Sequence, residues 1–452
     1  MLGIARGISK PPFCISYYIF DSTGFAGTRL ICNTDYRTVL AGYGDAIHSG
    51  SKRRIIPRRS MQTSVRTVPT WLTILLATSC GLIVANLYYA QPLVGPISST
   101  LKLSAAAAGL IVALTQMGYC LGLLFIVPLG DLIENRRLIL SLILICMLAT
   151  IMTASVHSPI PFLFAAIVTG LGAVAVQVLV PYAAHLAPEE SRGHVVGNVM
   201  SGLMFGIMLA RPAASLVTHL FSWRTVFVLS AALMALLSAI LFRWLPERFP
   251  ESTADYGALL RSMIPAFRTT LILRRRAFYH FCLFGAFSLF WTTVPLYLAG
   301  PAYHLSQAGI SLFAFVGIAG AISAPIAGRL ADRGWSKPVT GYAIVIVALA
   351  LVIMRATPGG LLASLLVLMA AGVLLDFGVT ANLVLGQRAI FMLNAEYRGR
   401  LNGLYMAIFF VGGAVGSALG AWAYSAVGWD RVLIIGLLWP LVALLYYSTD
   451  RS

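Results

Sequence analysis

Apolar residues fill long stretches of the chain, and polar residues collect in short breaks between them. Twelve stretches read as helices: roughly 69–90, 105–129, 138–157, 160–184, 193–219, 224–243, 277–298, 307–331, 338–356, 360–386, 399–424 and 430–447. A bilayer core needs about 20 apolar residues per helix. Helices also satisfy every backbone group in lipid. A membrane β-barrel would show alternating strands of about ten residues, and none are seen. The pattern predicts an all-α membrane protein with twelve transmembrane helices in two pseudo-symmetric six-helix bundles. Residues 1–68 would be a cytoplasmic extension, 69–243 the first bundle, 244–276 a cytoplasmic linker and 277–448 the second bundle. The linker is the longest polar break, with Glu247, Arg248, Glu251, Asp255, Arg261, Arg268 and the run from Arg274 to Arg276.

Composition agrees. Of 452 residues, 59% are hydrophobic and 10% charged, against about 25% charged in soluble domains. The net charge of +17 would suggest nucleic acid in a soluble protein. Here it is a topology signal, and no nucleic-acid partner is expected. "KRRIIPRR" (52–59) precedes the first stretch; Arg136 and Arg137 follow the second; Arg333 and Lys337 follow the eighth; Arg398 and Arg400 open the eleventh. The intervening breaks hold little beyond Lys102, Arg224, Arg355 and Arg431. The positive-inside rule puts both termini in the cytoplasm, and the expected location is the inner (plasma) membrane. The six cysteines form no CxxC pair, so neither a disulfide framework nor a metal site is expected. No cofactor is implied. The expected partners are the lipid bilayer, a small-molecule substrate and protons, with the protein a monomer.

The two halves repeat. Shifted by about 206 positions, Arg192 and Gly193 fall on Arg398 and Gly399, Gly206 on Gly412, Ala210 on Gly416 and Trp223 on Trp429. Both copies begin on the same side, so the repeats are parallel, as in transporters whose bundles rock about a central site. A second pair follows the second and eighth helices: "PLGDLIENRR" (128–137) and "GRLADRGWSK" (328–337).

Here the chain resembles the major facilitator superfamily, over residues 69–448. Gly328, Asp332, Arg333, Gly334 and Lys337 are similar to its loop motif. The first-half copy keeps Asp131, Arg136 and Arg137 but has Val127 and Glu134 at the glycine positions. The stretch "NLYYAQPL" (86–93) looks like a bacterial efflux-type branch, of drug:proton antiporters and sugar exporters. In the fifth helix, Gly197 and Gly206 match part of the superfamily's antiporter motif; Ala210 and Arg211 stand where it has glycine and proline, Pro212 is one position late, and Ala214 and Ser215 replace the final glycines. The small residues Gly202, Gly206 and Ala210, with Gly412 and Gly416 in the repeat, also suit close helix packing. The resemblance implies that Asp131 meets the start of the eleventh helix near Gly399, and Asp332 the start of the fifth near Gly193. There a carboxylate is favoured by unpaired N–H groups. These loops would act as a cytoplasmic gate, closed when the site faces outward.

The family's cavity is lined by the first, fourth, seventh and tenth helices. That nominates Asn86, Tyr88, Tyr89, Gln91, Gln177, Tyr182, Trp291, Tyr297 and Asn382, with Gln116 a weaker candidate from the second. Two charges lie deep in spans, Arg211 and Asp376. A charge there costs at least about 2.5–3.5 kcal/mol and normally faces a cavity or a partner. Asp376 is the proton-coupling candidate, because a buried carboxyl can bind a proton in one state and release it in another. At 1.5 Å per residue, Arg211 lies roughly 12 Å and Asp376 roughly 24 Å from the outer ends of their helices, which argues against direct pairing. Arg211 could turn outward or cap carbonyls freed by Pro212, bind an anionic substrate group, or pair with an acid in one state.

These features predict a secondary active transporter working by alternating access, exporting a small organic compound in exchange for protons. The alternatives are a proton symporter taking up a sugar or organic acid, and a non-transporting membrane sensor. Neither a P-loop, a zinc-protease HExxH nor a nucleophile elbow is present, so an enzyme is not expected. Residues 1–60 are too short in apolar runs for a signal or a span. Translation from Met61, a disordered tail and a targeting segment all fit them.

Overall fold

The computed structural model describes residues 14–20, 26–32, 68–189, 191–250, 255–356, 360–393 and 398–450. The chain divides into two units, Met1–Ser64 and Val65–Ser452. In the first, Cys14–Phe20 pairs antiparallel with Ala26–Cys32. The basic run 52–59 and Met61 lie outside the described residues. All the helices among the described residues belong to the second unit.

Eleven of its helices are long and apolar enough to cross a membrane. The first span completes the twelve, but it is not one helix. Thr70–Ala85 ends in a turn, followed by a short 3-10 turn, Gln91–Leu93, and a further helix, Val94–Leu101. The expected 69–90 helix therefore breaks inside the bilayer. Pro92 lacks an N–H and cannot continue the ladder, and Gly95 and Pro96 follow closely. The later spans include Ala105–Asp131, Asn135–Ser155, Pro159–Leu186, Arg192–Leu220 and Trp223–Trp244 in the first bundle. The second bundle holds Leu271–Ala299, Gln307–Asp332, Ser336–Ile353, Leu361–Phe391, Arg398–Val427 and Trp429–Ser448.

The linker expected at 244–276 has secondary structure of its own. It contains a helix, Tyr256–Thr269, capped by Asp255, whose carboxylate accepts from the Ala258 N–H at 3.0 Å. The seventh span starts at Leu271, not 277, so Arg274–Arg276 are helical. The linker helix buries only Leu259 and Met263. Its Tyr256 hydroxyl donates to the Phe125 carbonyl at the end of the second span, 2.7 Å away. Its Ser262 hydroxyl accepts from Arg400 of the eleventh at 3.3 Å. The linker thus ties the two bundles on the side that carries the chain ends, called here the terminal face.

Helix contact is closest where side chains vanish. A carbon added to Gly206 of the fifth span would lie 2.2 Å from the Gly81 carbonyl oxygen of the first. One added to Gly416 of the eleventh would lie 2.1 Å from that of Gly285 in the seventh. Gly202 and Gly412 make the same approach one turn earlier. Lipid gives helices no hydrophobic reason to associate, so this backbone contact does the joining.

Candidate functional site

The break in the first span supplies the site. Past the end of the Thr70–Ala85 helix, the Tyr88 and Gln91 side chains meet Arg211 of the fifth span. There Arg211, only 2% exposed, donates from Nε to Gln91 Oε1 at 2.7 Å. Its guanidinium carbon sits 4.3 Å from the Trp291 ring centre, 5.0 Å from Tyr88 and 5.1 Å from Phe287. A desolvated cation–ring contact contributes about 2 kcal/mol, and a hydrogen bond to a charged group about 1.5–3. Together they are of the order of the insertion cost of the charge. Arg211 therefore stays inside rather than turning outward.

Trp291 links this charge to the other. Its Nε1 donates to Asp376 Oδ1 at 3.3 Å. Asp376 is buried, and its Oδ2 has no partner. Gly317, in a 3-10 turn Phe315–Ile318 of the eighth span, faces both groups. A carbon added there would lie 3.3 Å from Arg211 Nη1 and 3.5 Å from Asp376 Oδ2. The two charges are thus no farther apart than the sum of those distances, yet no ion pair joins them among the described residues. Depth along the helices kept them apart on paper. The length of the arginine side chain brings them together. Two further buried atoms lack partners: Arg211 Nη2 and Gln91 Nε2.

Comparison with known proteins agrees with this architecture. The description "Major Facilitator Superfamily" matches residues 74–367. An uncharacterised transporter of Escherichia coli O157:H7, YgaY, is 40% identical over 377 residues, covering 83% of this chain and 94% of its own. A probable transporter of Streptomyces coelicolor, SCO4007, is 31% identical, covering 81% of this chain and 84% of its own. The crystal structure of a bacterial homologue of the human lysosomal transporter Spinster, inward-facing and unoccupied, superposes with a TM-score of 0.67 at 14% identity. It covers 83% of this chain and 95% of that one. The chain belongs to the major facilitator superfamily. It is a multi-pass membrane transporter rather than an enzyme.

Of the cavity residues nominated from the superfamily pattern, Tyr88, Gln91 and Trp291 meet at Arg211. The others lie elsewhere. Asn86 accepts from Ser230 at 2.5 Å and donates to the Leu82 carbonyl at 3.1 Å, so it serves the first bundle internally. Tyr89 lines a groove between the first and fifth spans. Gln177 donates to the Tyr119 hydroxyl at 2.9 Å. Tyr182 donates to the Pro246 carbonyl at 2.6 Å and holds the start of the linker. Tyr297 stacks on Trp429 at 4.2 Å, on the face opposite the chain ends. Asn382 pairs with His280 at 2.8 Å, and Gln116 donates to Ser288 at 3.2 Å. Sequence reasoning missed Phe287 and Gly317. Phe287 lies four residues before Trp291, on the same helix face, and could have been found. Gly317 had no such signal.

In this superfamily transporter Asp332, Arg136 and Arg137, expected at the gate, bond within their own halves of the chain. Asp332 pairs with Arg388, which also donates to the Gly328 carbonyl at 3.4 Å. Arg136 bonds the Phe242 carbonyl and Glu247, the latter at 3.4 Å. Glu134, at the motif's glycine position, caps the third span by accepting from the Arg136 and Arg137 N–H groups at 2.7 and 2.9 Å. Asp131 and Arg333 are exposed. The Lys337 carbonyl accepts from Tyr447 at 2.9 Å. Carbons added to Gly193, Gly197, Gly328 or Gly399 would meet nothing within 4 Å. At the level of Arg211 and toward the opposite face the bundles do touch. The Ser311 hydroxyl of the eighth span donates to the Pro212 carbonyl of the fifth at 2.8 Å, and a carbon on Gly109 would lie 2.3 Å from the Ser417 oxygen.

Proposed function

We propose that this transporter couples movement of a small organic solute to protons by alternating access, with Asp376 binding and releasing the proton. The observation that supports this is the state of its carboxyl: buried at mid-membrane, held by one N–H, and near a guanidinium without pairing to it. Burial disfavours the charged carboxylate, while a nearby cation favours it. A small movement of the fifth span against the tenth tips that balance, so bundle motion and proton binding are linked.

Export by proton exchange, expected from the partial antiporter motif, needs a substrate that displaces the proton from Asp376. The unpartnered donors on Arg211 and Gln91 favour the other direction, solute and proton moving together. The terminal face would then be cytoplasmic, as its arginines suggest.

Proteoliposomes carrying the normal chain or Asp376→Asn, given a pH gradient and a panel of small organic acids, sugars and amines, test the reading. Asp376→Asn should lose gradient-driven transport and keep solute exchange at equal pH. Full gradient-driven transport by that variant would refute the role. Proton flux parallel or opposite to the solute assigns the direction.

A further inference from the structure

Resting on the central group as the transport site, we propose that the solute is an organic anion with an aromatic body, a carboxylate being the simplest. Its anionic oxygens would sit on Arg211 Nη2 and Gln91 Nε2. Those two atoms are buried and unpartnered. The amide's orientation follows from its bond: Gln91 Oε1 accepts from Arg211 Nε, so the other amide atom is the N–H₂ donor. Two orphan donors on side chains that are bonded to each other, one of them charged, suit the two acceptor oxygens of a carboxylate. A cation would meet the same guanidinium uncompensated by any ion pair. The rings of Tyr88, Phe287 and Trp291 stand around the guanidinium and offer apolar walls to an aromatic body. Gly317 puts no side chain against Arg211 and Asp376, where an added carbon would lie 3.3 and 3.5 Å from them.

Asp376 sets the condition for binding. Ionised, it compensates Arg211 and repels an incoming anion. Protonated, it leaves the guanidinium free and can donate a third hydrogen bond from its unpartnered oxygen. Anion and proton therefore favour each other's binding.

The test is equilibrium binding to the purified full chain in detergent, read by tryptophan fluorescence and thermal stability. The probes are benzoate, phenylacetate and indole-3-acetate, their neutral amides, and benzylamine. The carboxylates should bind, and the amides and the amine should bind at least about tenfold more weakly. Arg211→Gln should weaken carboxylate binding by roughly ten- to a hundred-fold. Gln91→Leu keeps the charge and should weaken it less, which covers the case in which the arginine variant fails to fold. Asp376→Asn, a neutral mimic of the protonated acid, should bind carboxylates at least as tightly as the normal chain. Equal binding of amides or amine, carboxylate binding untouched in both Arg211→Gln and Gln91→Leu, or no carboxylate binding up to millimolar concentration would each overturn the inference. No gradient is present, so its failure is separate from that of proton coupling. Carboxylate binding without proton-driven flux removes the coupling alone. Proton-driven flux of a neutral or cationic compound removes the anion alone.

Discussion

Arg211 sits in an apolar run of a membrane span, and its surroundings explain how it is tolerated. Three rings and one amide surround the charge, and an acid lies close without capturing it. Gly317 keeps that last distance open. In Gly317→Ala, the new methyl group would press on Arg211 Nη1 at 3.3 Å, and the guanidinium would have to give by a few tenths of an ångström. Transport should fall roughly tenfold or more, equivalent to about 1.4 kcal/mol, while the amount of protein in the membrane stays normal. Uptake assays alongside quantitative immunoblots check this; unchanged uptake would mean the gap has no function.

At the scale of helices, the joints within each bundle are backbone against backbone. A valine at Gly416 would drive its first carbon to within 2.1 Å of the Gly285 oxygen. Overpacking of this kind costs roughly 1–3 kcal/mol, occasionally more. Gly416→Val should lower the melting temperature in detergent and the yield of monodisperse protein. Gly399→Ala, in open space at the start of the same helix, should change stability by less than about 0.5 kcal/mol. Equal losses in both would show that the crossing is not what holds the seventh and eleventh spans together.

For the whole molecule, the two bundles touch at mid-membrane and on the face away from the chain ends. On the terminal face, carbons added at Gly193 and Gly399 would meet nothing within 4 Å among the described residues, and Asp332 pairs with Arg388. Alternating access requires the reverse arrangement in turn. Asp332 would then leave Arg388 for the start of the fifth span near Gly193. Cysteines at Gly193 and Asp332, after Cys14 and Cys32 are replaced by serine, should cross-link during turnover and stop transport. The remaining native cysteines, Cys80, Cys120, Cys146 and Cys282, are buried and give little background. Absence of cross-linking during active transport would reject this closure.

Much was legible in the chain itself. Apolar run length determined the number of spans, because lipid admits only helices of sufficient length. The parallel repeat and the loop motifs pointed to the superfamily. Arg211 and Asp376 stood out because deep charges are costly and therefore few. The superfamily's cavity helices also nominated Trp291. Periodicity could not foresee the break after Ala85, since a turn within a span is permitted only where neighbouring helices shelter its backbone. Nor could it sort Tyr88 and Gln91, which reach Arg211, from Asn86 and Tyr182, which serve their own bundle. Their spacing is the same helical spacing, and only the direction each side chain takes across the helix interface separates them. The approach of Arg211 to Asp376 over Gly317 was likewise a product of tertiary structure. It joins three helices far apart in the chain, and depth along each helix says nothing about how far a flexible side chain reaches toward the next.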